Sequence, residues 1–535
     1  MKRYFLIIVA VLAFNIGFAQ DFFDALRYSQ TEYGGTARSI AMGGAFGALG
    51  GDFVSASINP AGLGFYRSNE LSFSSALNFN NIESTYLTNA ESENRTRFNL
   101  SNLSFISSTN TNAQSGIVGL TFGIGFNRLK DFNNRSFTQG YNAQTSLLNY
   151  YTDNANSPYT SPDKLEPHYE GLAYQSYLIN EDEDLSVIEG IYYNHLTDYQ
   201  EYEINDKNGD FLGYGYEAVA VMPHQQKKST TTSGGINEYL MSLGLNINHK
   251  VYFGGSIGLV SLNYGEHTIY SEIDNNNKSD YLKNFNLVTD INESGMGVNF
   301  KTGIIYRPFK SLRIGASVHT PTFYEIAHNE NKKMDAYFDQ DLGNDKQGLS
   351  THWNDKSSQN FYYQLETPFK AIFSAAYTFS NKALISVDYE NVNYSNTKFR
   401  ATEGDDFDYS MKNSENNKIF TSASNLRVGG EVRISANTSL RAGFNYFGNP
   451  WEKTFTYTDG STSEIINSND TYLSYTGGLG YRQNNFYIDF AYRLNQKNYS
   501  TKVHEIFYTN PGNGNALANF AELNHQATIT LGFRF

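Results

Sequence analysis

The residue types that could carry chemistry are present in this chain, but their spacing does not assemble a reaction site. Gly50-Gly51-Asp52-Phe53 begins like a nucleotide-cyclising loop, yet Phe53 stands where such a loop needs a second carboxylate. Gly43-Gly44-Ala45-Phe46-Gly47 lacks the preceding apolar strand that a phosphate-cradling loop requires. Asp206-Lys207-Asn208-Gly209-Asp210 and Asp274-Asn275-Asn276-Asn277 offer oxygen ligands, but neither has the EF-hand spacing with its terminal Glu. They read as solvated loop tips. His319 and His328 have no clustered partner, and no Ser/His/Asp arrangement is readable. Cysteine is absent, which excludes disulfides, thiolate metal sites and cysteine nucleophiles. The expectation is a protein that is not an enzyme, with no cofactor and no metal.

Composition narrows the class. The 535 residues hold 40 Lys+Arg against 54 Asp+Glu, a net charge of −14, which speaks against a nucleic-acid partner. Charged residues are only 18%, below the roughly 25% of ordinary globular chains, while aromatics reach 15%, with 41 Tyr and 39 Phe. Mean hydropathy is −0.49, and beyond the first twenty residues no apolar run is long enough for a spanning helix. Residues 1–19 read as a secretory signal peptide: Lys2 and Arg3, an apolar stretch from Tyr4 to Phe18, then small residues at Gly17 and Ala19.

The elements that must position any site are strands. Val118, Leu120, Phe122, Ile124 and Phe126 alternate with small residues, as do Tyr239 to Ile247 and Phe486 to Leu494. Each run has the length of a tilted strand crossing a bilayer rather than of a sandwich strand. Short polar breaks at Ser108 to Ser115, Asn248-His249-Lys250, Pro308-Phe309-Lys310, Ser380-Asn381-Lys382, Ser435-Ala436-Asn437 and Gln483-Asn484-Asn485 mark six hairpins. With one strand before them and one after, the spacing predicts an all-β, 14-stranded antiparallel barrel over 70–535. Long polar connections alternate with the short turns, as extracellular loops alternate with periplasmic turns. They lie at about 81–95, 131–235, 274–284, 327–360, 401–416, 459–463 and 509–523. The chain ends on an amphipathic strand closing at Phe535, a terminus expected to serve the barrel-assembly machinery.

Taking the apolar parity as lipid-facing puts Lys301, Arg313, Lys370, Arg427, Arg433, Arg441, Arg493 and Arg534 inside, with Asp388, Glu390, Glu431 and Asp489. Small residues point inward on strands three to five, among them Gly119, Gly123, Gly125, Gly244 and Gly254, and predict a passage there. Strand three, with Gly119, Gly123 and Gly125, is where a wall could most cheaply open. Residues 20–69 are rich in Gly and Ala, lack alternation, and are expected to fold into the lumen as a plug.

Gly34-Gly35-Thr36-Ala37-Arg38-Ser39-Ile40-Ala41-Met42-Gly43-Gly44-Ala45, followed by Ser57-Ile58-Asn59-Pro60-Ala61-Gly62-Leu63, resembles the N-terminal hatch of the FadL/TodX-type outer-membrane transporters. That resemblance implies a hatch motif at Asn59, Pro60, Ala61 and Gly62, lying near strand three. It implies passive import of long-chain fatty acids or other hydrophobic compounds, and lateral release through a kink in the third strand into outer-membrane lipid. Arg313, His319, Arg427, Arg433, Arg441 and Arg493 are then the candidates for holding a carboxylate. A monomer in the outer membrane of a Gram-negative cell is expected. Two other readings stay open: an accessory of a type IX secretion system, and a surface adhesion or haem-binding barrel using the long loop 131–235.

Overall fold

The computed structural model describes residues 22–156, 161–181, 192–194, 196–205, 211–276, 282–338, 352–380, 382–404, 407–456, 462–464, 471–504 and 517–535. The expected signal segment 1–19 and the Asp206 to Asp210 loop tip lie outside the described residues.

Alternation sets the architecture. One face of each strand is apolar and points out, as Leu120, Phe122 and Ile124 do, while Thr121 between them is buried inside. A sheet with that pattern and no covered edge closes on itself. One sheet contains eighteen strand segments, and in four places two segments continue one another, which leaves fourteen barrel strands. In chain order these are β1 (Glu70–Tyr86), β2 (Asn89–Asn110), β3 (Ile117–Asp131, extended by Asn134–Asn142), β4 (His224–Ile247) and β5 (Val251–Ile273). β6 (Leu282–Tyr306), β7 (Leu312–His319 and Phe323–Phe338), β8 (His352–Glu366 and Lys370–Phe379) and β9 (Ala383–Asn393 and Lys398–Ala401) follow. β10 (Ser422–Arg433), β11 (Thr438–Phe447), β12 (Thr471–Gln483), β13 (Phe486–Lys502) and β14 (Leu517–Arg534) complete the ring. All neighbours are antiparallel, and β14 closes onto β1 from Glu70↔Arg534 to Tyr86↔Ala518. The closing seam is locked at its base, where Asn69 and Phe535 exchange backbone hydrogen bonds of 3.0 and 3.1 Å.

Several strands are far longer than the roughly 9–11 residues a bilayer needs. β4 has 24 residues and β6 has 25. On β6 the outward apolar belt runs only from Met296 to Tyr306, so its first half stands above the membrane. This corrects the loop expectation: most of 81–95 and 327–338, and all of 352–360, are strand, and β1 turns into β2 between Tyr86 and Asn89. These stretches face water on the outside, so they show no apolar alternation for a sequence reading to detect.

The chain before β1 fills the lumen. Helix α1 (Phe22–Ser29), α2 (Ala37–Ala41), α3 (Ser55–Ile58) and a 3-10 turn at Pro60–Phe65 are joined by tight glycine bends. At the outer end, α4 (Leu147–Asn156) and α5 (Glu170–Gln175) from the long connection pack into the mouth as a cap. Leu147, Leu148, Tyr151 and Leu172 form one apolar core with Tyr270, Phe285, Met334 and Phe520 of the barrel.

Two of the wall's irregularities bear on the site. At Ser74/Ser75 the β1–β2 register slips past Ser101, and the β2–β3 ladder ends at Asn102↔Asn127. β3 itself bulges between Arg128 and Lys130, and its extension Asn134–Asn142 pairs with β4. The second irregularity interrupts β7 at Thr320 to Thr322 and β8 at Thr367 to Phe369.

Candidate functional site: the lumen cavity between plug and cap

The plug is fixed to the wall by contacts all round the barrel. Asn59 is buried, donates from Nδ2 to the Gly47 carbonyl at 2.7 Å, and accepts the Ala61 N–H at 3.2 Å. Its side chain thus holds two plug segments together, and Pro60 opens the turn that follows. The motif does not lie beside strand three. A β-carbon on Gly303 of β6 would fall 2.1 Å from Asn59 Oδ1, and one on Gly254 of β5 would fall 2.3 Å from the Pro60 carbonyl carbon. Gly62 packs on Ser55 and Gly50 within the plug.

The inward glycines are seats for the plug. On β3, Gly125 faces the Phe53 ring, which a β-carbon would meet at 2.6 Å, and Gly123 faces Ile106 and Phe53. Gly244 of β4 receives Leu63 and Gly64. The passage expected along strands three to five is therefore occupied, because the missing side chains are replaced by plug residues. A consequence is testable in purified protein. Gly125→Val should lower barrel stability by about 1–3 kcal/mol through overpacking. Gly119→Ala, whose nearest neighbour would be Asn246 Cβ at 3.4 Å, should shift it by less than about 0.5 kcal/mol. Thermal unfolding in detergent reads both.

The lumen cations are already engaged. Arg427 lies 3.2 Å from Glu390 and 3.9 Å from Asp388. Arg441 pairs with Glu431 at 2.7 Å and Asp489 at 2.6 Å, and Glu431 also takes Arg38 of the plug at 3.2 Å. Arg313 donates to the Leu49 carbonyl and stacks over Phe65 at 4.3 Å. His319 Nε2 contacts the Ile58 carbonyl at 2.8 Å. Arg433 is exposed at the short-turn end of β10, outside the lumen contacts. Arg493 differs, because it lines open space while pairing with Glu32 of the plug at 3.1 Å.

That space is a cavity of about 660 Å³ between plug and cap. Its floor is α1 and the segment to Gly34, and its upper wall includes Val503, Ala518 and Phe520, which also belong to the cap core. Phe23, Leu129, Phe132, Tyr264 and Trp451 give it apolar surface, and Lys130 and Lys497 join Arg493 in giving it positive charge. On one side it reaches Asn99, Ser101, Arg128, Asp131 and Asn134, the residues flanking the stretch where β2 and β3 are not laddered. Side chains bridge that stretch instead: Asn99 donates to Asp131 at 2.7 Å and Arg95 to the Asn134 carbonyl at 2.9 Å, while Ser101 Oγ ties β2 to the Gly35 carbonyl of the plug at 2.9 Å. None of these residues stood out in the sequence, because polar residues leaving a strand look the same as polar residues entering a loop.

The cap is held by an acid well above the apolar belt. Glu272, near the outer end of β5, accepts the Leu147 N–H at the start of α4 at 2.8 Å, and also Ser146, Tyr270 and Gln226 donors. His224 stands 3.4 Å away. Burial pushes the Glu272 carboxyl up, but His224, His504 and the Ser146 hydroxyl outweigh it and hold it at about 2. For His224 burial lowers the pKa, and Glu272 together with the Met222 carbonyl raises it above the ordinary value. The depressed acid stabilises the cap above its unfolded pKa of about 4.3, and the raised histidine stabilises it below about 6.5. Cap anchoring should therefore be strongest between those values and weaken as pH rises through the folded His224 pKa. Lower protection of the Leu147–Asn156 amides at pH 8.5 than at pH 6, each measured against the intrinsic exchange rate at that pH, reads it. His224→Gln should remove the difference.

A closed fourteen-stranded barrel with an internal N-terminal plug and a cap over its outer mouth defines the class of plugged outer-membrane-type β-barrels. More narrowly, the fold is that of the FadL/TodX-type transporters. A Pseudomonas aeruginosa FadL homologue superposes with a TM-score of 0.51 at 12% identity, covering 95% of this chain and 99% of that one. A TodX monoaromatic hydrocarbon channel, in a deltaS2 mutant form, gives 0.50 at 11% identity, covering 94% and 99%. No family model matches the chain, and no curated protein sequence does.

Proposed function

We propose that the protein is an outer-membrane channel that admits a hydrophobic compound passively into the cavity and releases it sideways between β2 and β3. The observation that carries this reading is the coincidence of the 660 Å³ cavity with the unladdered stretch. Its volume suits one molecule in the usual range of ligand pockets, about 300–1,000 Å³. The vertical route is obstructed by the plug, whose Arg38–Glu431 ion pair and hydrogen bonds from Tyr33 to Glu390 and from Gly47 to Asp388 would have to break. The lateral route needs only side-chain bridges to part. Outside it, Phe98 is 72% exposed and Leu100 lies two residues on, an apolar landing next to lipid. The ligand class is a long-chain fatty acid or a similar hydrophobic compound, with Arg493, Lys130 and Lys497 offering positive charge to an anionic end.

The test is uptake of labelled oleate and labelled toluene by a deletion strain, with and without the gene. Gene-dependent uptake of either supports the channel. Equal uptake in both strains would sink it and would favour a partner role for the barrel.

A further inference from the structure

The second wall irregularity has its own chemistry. Pro321 in β7 and Pro368 in β8 lie at the same level of adjacent strands, between the register pairs His319↔Lys370 and Phe323↔Glu366. Proline has no N–H to give to a ladder and is found in central strands only at breaks. Backbone groups freed in lipid cost several kcal/mol each unless they are satisfied. Threonines satisfy them here: the Thr322 N–H donates to Thr367 Oγ1 at 2.8 Å, and the Phe300 N–H to Thr320 Oγ1 at 3.0 Å. The break is held by these side chains together with isolated backbone bonds, Thr367 N–H to the Thr322 carbonyl at 3.1 Å and Thr320 N–H to the Phe300 carbonyl at 2.9 Å, so little of the ladder has to part for it to rearrange.

Directly inside it stands a row of basic residues. Lys301↔His319 and His319↔Lys370 are register partners, so three basic side chains lie abreast on β6, β7 and β8. Like charges in such a row repel. Glu238 of β4 engages Lys301, and His319 is bound to the Ile58 carbonyl. Lys370 is 92% buried, and its ammonium donates to Thr31 Oγ1 at 2.6 Å rather than to a carboxylate. Among the described residues no acid comes within ion-pair distance of it. A cavity of about 30 Å³ runs from Lys370 and His319 to Thr320, Thr322, Thr367 and Pro368 at the break. Phe323, Tyr362 and Phe369 project outward on the lipid side.

We propose that this break is a second side portal, which seats the carboxylate head of a single-chain amphiphile against Lys370 while its tail lies in the bilayer along Phe323, Tyr362 and Phe369. One ammonium without a counter-acid calls for a monoanion. Space for about two waters fits two carboxylate oxygens, not a phosphodiester with its substituents. The proposal deepens the transport reading by naming the ligand's head group, and it rests on that reading for the view that ligand travels through the wall.

The experiment uses the full chain in detergent micelles with a palmitate analogue carrying a diazirine near its carboxyl, and labelled peptides are read by mass spectrometry. Saturable labelling of peptides containing Phe323, Tyr362 and Phe369 is expected. Lys370→Gln should reduce it about tenfold, the loss of one charge-assisted hydrogen bond, and Lys370→Arg should keep it. The unaltered protein alone decides the site, so a variant that fails to assemble does not remove the test. Labelling confined to β2, β3 and the plug overturns the portal and leaves the transport reading standing. No saturable labelling anywhere overturns both. Equal labelling by the same chain with a phosphocholine head, or undiminished labelling of Lys370→Gln, overturns the carboxylate assignment.

Discussion

Stapling β2 to β3 across their unladdered stretch should cut uptake about tenfold or more, the factor given by ~1.4 kcal/mol of added barrier, while the barrel still assembles. Asn99 and Asp131 are the positions of choice, since their side chains already meet at 2.7 Å across the break. The chain has no cysteine, so Asn99→Cys/Asp131→Cys creates one defined pair. A disulfide forms where the Cα atoms lie about 4.4–6.8 Å apart, and a short thiol crosslinker covers a wider span. Ser72→Cys/Ser104→Cys is the matched control, because those hydroxyls lie 2.7 Å apart within an intact β1–β2 ladder. Uptake should fall in the oxidised break pair, recover with reductant, and stay unchanged in the control. Normal transport by the stapled protein would rule out release between these strands.

The place of that staple separates what the sequence discloses from what it hides. Outward parity was readable because lipid tolerates only apolar side chains, so Leu120, Phe122 and Ile124 declare their face. The turns were readable for a related reason: Asn248 and His249 hold positive φ angles of 54° and 56°, a conformation that favours Asn in tight hairpins. The plug was readable as glycine-rich sequence without alternation. The break in β2 was not. Ser101 is an extra residue between Leu100 and Asn102, and although outward parity passes from Phe98 and Leu100 to Leu103 and Phe105 across it, that slip alone does not show that the β2–β3 ladder ends there. The glycines of β3 seat the plug, since the Phe53 ring packs on Gly123 and Gly125, whereas the unladdered stretch of the same strand lies beyond Asn127 and carries no glycine signal. The pairing of Arg427 and Arg441 with acids on neighbouring strands depends on register, which hydrophobic pattern alone does not fix for inward polar residues. Pro321 and Pro368 each interrupt a ladder, a feature that outward alternation does not bring out, and only the register shows that they coincide.

The contrast between Arg427 and Arg493 gives the other large expectation. Arg427→Met should destabilise the plugged barrel by about 3–5 kcal/mol, because it leaves buried carboxylates without their cation. Both acids also hold the plug: Glu390 accepts the Tyr33 hydroxyl at 2.7 Å, and Asp388 accepts the Gly47 N–H at 2.9 Å. The guanidinium itself lies over the Tyr33 ring at 4.5 Å. Without it, the two side chains repel each other from the same face of β9, and two plug attachments weaken together. Arg493 faces the cavity and pairs with a partly exposed Glu32, so Arg493→Met should cost at most about 1 kcal/mol and act on ligand uptake instead. Thermal unfolding separates the two stabilities, and sensitivity of cells to a large hydrophilic antibiotic reads plug displacement. Arg427→Met should raise that sensitivity and Arg493→Met should not. Adding Asp388→Asn and Glu390→Gln to Arg427→Met should recover much of the lost stability, since the charges that require compensation are then gone. If Arg427→Met unfolds at the parental temperature and keeps the outer membrane tight, the plug is anchored elsewhere, by the Arg38–Glu431–Arg441 network and by wall contacts such as Ser57–Glu238 and Ala37–Thr530.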